Sequence, residues 1–166
     1  MASIPLNAGG AWAASLPGPT VRRKGRAISG ERDLQKLLAS LQAHQQPGHY
    51  VFTVAPRDLD LAGIQPVVTV VEAEGLTLVL GQGQADRLGL RYDYIAAWLT
   101  LRVHSSLGAV GLTATVSGRL AEAGISCNVV AGYHHDHLFV PAERADHALA
   151  VLEELSARAR TGTLQS

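Results

Sequence analysis

The sequence predicts an α+β protein built from antiparallel sheets with helices packed on one face, and three observations predict it. An apolar fraction of 47% over 166 residues is enough for a real core. The second half reads strand, helix, strand, strand, helix. The first half is also rich in strands, with a hairpin pattern centred on Glu74-Gly75.

In the second half, 96–103 reads as a strand, with alternation visible at Trp98, Thr100 and Arg102. His104–Gly108 is a short polar turn. Over 109–123 the residues Val110, Leu112, Val116 and Leu120 fall on one helical stripe, and Gly124 suits a left-handed C′ position. Ser126–Ala131 returns as a strand, Tyr133–Asp136 turns, and His137–Val140 is a third strand ended by Pro141. A second helix is expected over 144–157. This β-α-β-β-α order is most of a ferredoxin-like split βαβ unit.

In the first half, 31–44 has helical spacing at Leu34, Leu37, Leu38 and Leu41, with Ser29 or Gly30 as the expected cap. Gln45–Gly48 breaks that helix, Tyr50–Val54 alternates as a strand, and Pro56–Ala62 is a loop. Strands follow at 67–73 and 76–80, then a turn or so of helix at 84–89. No clear linker divides the halves. The domains expected are a flexible tail at 1–30, one unit at 31–94, a second at 95–160 and a short tail at 161–166. The terminal TGTLQS is too polar for a last strand of the second unit. A strand from the first half is expected to take that place and bind the two units into one.

Charge excludes one class of partner. Formal net charge is zero, but Arg22, Arg23, Lys24 and Arg26 precede every acid, so the body carries ten Lys/Arg against fourteen Asp/Glu, or −4. A fold of that sign is not expected to bind a phosphate backbone. No stretch approaches the roughly 18 uninterrupted apolar residues of a membrane span. The single Cys127 excludes an internal disulfide and fits a reducing, cytoplasmic setting. Residues 1–30, basic and free of acids, read as a tail, with a transit-like leader as the alternative.

The strand into a Ser/Gly turn, the helix ending LAEAGIS, the strand ISCNVVAGYHHDHLFV and EAEGLTLVL at 72–80 together resemble the ACT domain. The closest likeness is to free-standing bacterial tandem ACT proteins, related to the ACT repeats of aspartate kinases and cellular arginine sensors. The resemblance spans about 31–155. It implies a non-catalytic regulatory module that senses a small ligand, most simply an amino acid, at the seam between ACT units. It also implies that the Ser/Gly turn and the facing second strand hold the effector's α-amino and α-carboxylate groups, which implicates Ser105, Ser106 and Leu107, then Val110, Gly111 and Leu112 at the helix start.

Those residues can be read without the resemblance. His104-Ser105-Ser106 precedes a helix whose first amides form an anion site, although a serine there equally serves as an ordinary cap. Asn128, beside Val129 on the facing strand, is a polar amide that needs partners, from a ligand ammonium or from backbone. A side chain on Gly111 would fill the ligand's space, so Gly111→Val is expected to abolish binding and spare the fold. Cys127 lacks a neighbouring base and reads as core. Glu72 and Glu74 read as a solvated strand edge.

No catalytic constellation, cofactor or metal is expected. Partners would be a small ligand, a second copy in a homodimer, and a separate enzyme or regulator. The alternative is a small metal-dependent enzyme using His104, His135 and His137, which requires three convergent ligands.

Overall fold

The computed structural model describes residues 31, 33–56, 59–103 and 109–163. The expected tail at 1–30, the turn at 104–108 and the last three residues lie outside them.

The described elements are α1 (Leu34–Ala39), β1 (Ala43–Gln45), β2 (Tyr50–Ala55), β3 (Val68–Val71), β4 (Leu76–Gly81), α2 (Gln82–Arg87), β5 (Ile95–Leu101), α3 (Leu112–Glu122), β6 (Asn128–Ala131), β7 (Asp136–Pro141) and α4 (Ala145–Thr161). The strands form one antiparallel seven-stranded sheet in the order β3-β4-β2-β5-β7-β6, with β1 also on β5.

Two ferredoxin-like arrangements interlock in this sheet. β2, β3, β4, α2 and β5 make the first, although the described residues 56 and 59–67 hold no regular element where its first helix would stand. Leu59, Leu61 and Ile64 from that stretch still pack against Val51, Leu78 and Leu80. β5, α3, β6, β7 and α4 make the second, so β5 serves both. The second unit's last edge is filled by β1, where Ala43 opposes Leu101 and Gln45 opposes Leu99. β1 and β2 thus run one after the other along the same side of β5. Four residues, 46–49, separate pairs that β5 spaces by two, and Gly48 turns this bulge at φ 83°.

The expected helix at 31–44 is shorter and starts later. Asp33 caps α1, its Oδ1 accepting from the amides of Gln35 and Lys36. Residues 43–45 then become strand. Nothing in Ala-His-Gln favours a strand, so this is tertiary pairing overriding local propensity. Six residues are too few to hold a helix in water. α1 persists because Leu37 and Leu38 are completely buried against the second unit's helices, each contributing on the order of 1.5–3 kcal/mol. Ser156 Oγ and Arg160 Nη1 of α4 also donate to the Ala39 carbonyl at 3.3 and 3.4 Å.

The two faces of the sheet differ. α1, α3 and α4 cover one through Leu99, Leu101, Leu138 and Val140. The other face, beneath no described helix, carries Val79, Ala96 and Phe139 among Tyr50, Phe52, Tyr94 and Trp98. Trp98 stacks on Phe139 with centroids 6.1 Å apart, and Tyr50 meets Trp98 edge-on at 5.2 Å.

Candidate ligand-binding site

The connection from β5 to α3 is the place the sequence singles out. His104, Ser105, Ser106 and Leu107 lie outside the described residues, but both flanks are defined. Val103 is buried at the end of β5. Gly111 is the N-cap of α3 in the left-handed conformation, φ 99°. Glycine takes that conformation without the Cβ penalty other residues carry, and it offers no side chain to cap the helix. The amide of Thr115 donates to the Gly111 carbonyl at 2.8 Å, so the earlier first-turn amides precede the helix's own bonding.

Val110 is 85% exposed, whereas Leu112 is buried in the core with Val116 and Leu120. A Cβ on Gly111 would stand 3.0 Å from Leu34 Cδ2. The start of α3 therefore abuts α1, which belongs to the first half of the chain.

The predicted strand residues divide between the faces. Val129 packs toward the helical layer. Asn128 opposes Phe139 across β6 and β7, and its side chain is on the helix-free face, exposed. The structure does not bring Asn128 to the α3 start within one chain.

Sequence reasoning missed Tyr94 as a neighbour of Asn128. Its Oη is buried without a hydrogen-bond partner among the described residues. Burial holds this phenol above the usual tyrosine range, and Ser126 and Asn128 beside it pull the other way. An aromatic just before a strand carries no signal in the sequence that it will reach β6.

Cys127 is half-buried, and burial pushes its thiol up to about 11. It is a thiol packed against the core, unsuited to nucleophilic attack near neutrality. Glu72 is exposed at the β3–β4 hairpin, where it accepts from the Thr77 hydroxyl.

The histidine run belongs to a hydrogen-bond network on the helix-free face. Trp98 Nε1 donates to His137 Nδ1 at 3.0 Å, which places the imidazole proton on Nε2. Thr100 Oγ1 lies 3.2 Å from the same nitrogen and accepts from Gln46 Nε2 at 3.0 Å. Burial lowers the His137 pKa, as does His135, with Asp136 opposing. Asp136 is itself held above the usual carboxylate range by burial. Among the described residues no three His, Cys, Asp or Glu side chains converge as metal ligands. Of the metal-enzyme set, His104 lies outside them and His137 Nδ1 is occupied by Trp98.

No described helix is long and apolar enough to cross a membrane. Comparison with curated proteins finds no match. Two family models match, both ACT domains, over residues 29–97 and 94–154. Among solved structures, a Vibrio cholerae protein of unknown function is 44% identical, with a TM-score of 0.69, over 75% of this chain and 97% of its own. The aspartate kinase regulatory subunit from Thermus thermophilus is 11% identical, with a TM-score of 0.50, over 68% of this chain and 95% of its own. Escherichia coli aspartokinase III, in complex with aspartate and ADP, is 16% identical with a TM-score of 0.50, over 69% of this chain and 32% of its own. These last two likenesses speak to the fold. The two family matches, on a sheet whose halves repeat one strand order, show that the chain belongs to the ACT-domain family, as two tandem ACT domains forming a regulatory, ligand-binding module.

Proposed function

We propose that this chain is a non-catalytic sensor of an amino acid, held at the start of α3 where the two halves meet. The observation that carries the reading is Gly111, a left-handed cap without a side chain that abuts Leu34 of α1. In a fold whose family binds small effectors, it leaves first-turn amides for a carboxylate where the second unit meets α1, the helix that the first half of the chain lends to it. Ser105 and Ser106 would supply hydroxyls, and His104, Leu107, Val110 and Leu112 would shape the surroundings.

Asn128 and Val129 would contribute from the edge strand β6 of a second copy. β3 and β6 end the sheet, and pairing at such an edge is the ordinary route to a homodimer. Ligand binding at the seam would shift the balance between two packings, to be read by a separate enzyme or regulator in the cytoplasm.

A thermal-shift screen of the twenty amino acids, followed by calorimetry on any hit, tests this. A ligand at 100 times its Kd stabilises by about 2.7 kcal/mol, a shift such a screen resolves. If no amino acid raises the melting temperature or gives binding heat, the amino-acid reading fails. Sedimentation across a concentration series tests the dimer, and a monomer throughout would remove the role given to Asn128.

A further inference from the structure

We propose a second, separate small-molecule site on the helix-free face of the sheet, which takes a ligand bearing a carboxylate or phosphate group. A cleft of about 690 Å³ opens there, lined by Gln42, Gln46, Trp98, Thr100, Arg102 and His137 with their neighbours. That volume is in the range that small-molecule sites occupy. Gly111 and Leu112 at the α3 start belong to the helical layer, on the opposite side of the sheet from this cleft.

The chemistry of the lining selects the ligand class. Among the described residues no Asp or Glu lines the cleft. Arg102 is exposed and makes no ion pair among the described residues. Its amide donates to the Gln42 carbonyl at 2.7 Å, which sets Arg102 beside Gln42 across the strand pair. A guanidinium next to a carboxamide offers a planar set of donors, the arrangement that binds a carboxylate or phosphate in two-point fashion. The carboxylate of Glu31 lies in the neighbouring pocket, beside Lys36.

The floor is held rigid. Trp98 is fixed by stacking on Phe139 and by its bond to His137, and Thr100 is tied to both Gln46 and His137. Little ordering entropy remains to be lost there when a flat group settles against the indole. The bulge at 46–49 brings Gln46 into this floor, its amide donating to the Trp98 carbonyl at 2.8 Å.

The test uses Trp98 as its own reporter. The chain has two tryptophans, so Trp12→Phe leaves Trp98 as the sole indole. Benzoate and phenyl phosphate are titrated at constant ionic strength, with benzyl alcohol as the neutral control. The expected result is a saturable change in Trp98 emission with at least one anion and none with the alcohol. The anion that binds distinguishes a carboxylate from a phosphate ligand. Arg102→Gln, an exposed change whose folding a urea melt checks, is expected to weaken binding about 10–100-fold, the loss of a charge-assisted bond. No saturable response to either anion, an equal response to the alcohol, or unchanged affinity in Arg102→Gln would each overturn the assignment.

Discussion

Replacing Gly111 should destabilise the fold before any question of binding arises. Gly111 stands at φ 99°, where an L-residue brings its Cβ against its own carbonyl, at about 1–2 kcal/mol. The added Cβ would also lie 3.0 Å from Leu34 Cδ2, the far end of a side chain that can swing aside. Backbone strain should therefore dominate. We expect Gly111→Ala to cost about 1–2 kcal/mol and Gly111→Val about 2–3 kcal/mol, since β-branching narrows the backbone further.

Urea melts measure this directly. At roughly 1–3 kcal/mol/M, the valine variant should lose about 1 M in midpoint. Gly111→Asn should recover part of the loss, because asparagine tolerates the left-handed region. Leu34→Ala in combination separates strain from collision, with a coupling below about 0.5 kcal/mol expected if strain dominates. Gly111→Ala as stable as the parent, or full rescue by Leu34→Ala, would refute the reasoning. The sequence-based expectation that valine spares the fold thus gives way. Helix propensity was the wrong measure for a residue that stands outside the helix as its cap.

Three further outcomes are expected. Gly132→Ala would set a Cβ 2.7 Å from the His135 carbonyl and 3.1 Å from His137 Nε2, so it should cost about 1–3 kcal/mol and alter Trp98 emission. An unperturbed melt and spectrum would contradict that contact. Because burial lowers the folded His137 pKa, stability should be full above the ordinary histidine value near 6.5 and fall as pH drops from there toward the folded value. Melts of His137→Gln between pH 5 and 8 should lack that slope, and an unchanged slope would exclude His137 as its source. Cys127, with its thiol at about 11, should react with iodoacetamide at pH 7.5 far more slowly in the folded chain than in urea, and equal rates would show it is not shielded.

Much of the second unit was legible because its signals are local. Val116 and Leu120 mark the buried stripe of α3, Gly124 ends it at φ 67°, and the alternation around Trp98 marks β5. The first half misled where local pattern and tertiary demand disagree. Leu34–Leu41 read as a long helix, yet the edge of β5 beyond Tyr50 needed a strand, and Ala43–Gln45 supplied it. Of the candidate site, Gly111 was visible as an oddity but not as a left-handed cap. The separation of Asn128 from the α3 start was not visible at all, because it depends on which face of β6 looks toward the helices.

What the sequence by itself determined is the kind and order of elements in the second half, the family they belong to, and the expectation that a strand from elsewhere would close its edge. The elements follow from periodicity within windows of a dozen residues, the unfilled edge from the polarity of the last residues, and the family from the resemblance of particular segments to ACT domains. Only the tertiary structure decided that β5 serves both units, that α1 lies on α4, and that Trp98, Thr100 and His137 join Gln46 in one network. Such pairings join residues as many as 121 positions apart, and no local pattern encodes them. They arise when a free sheet edge and an uncovered apolar surface find, within the same chain, the segment that satisfies both.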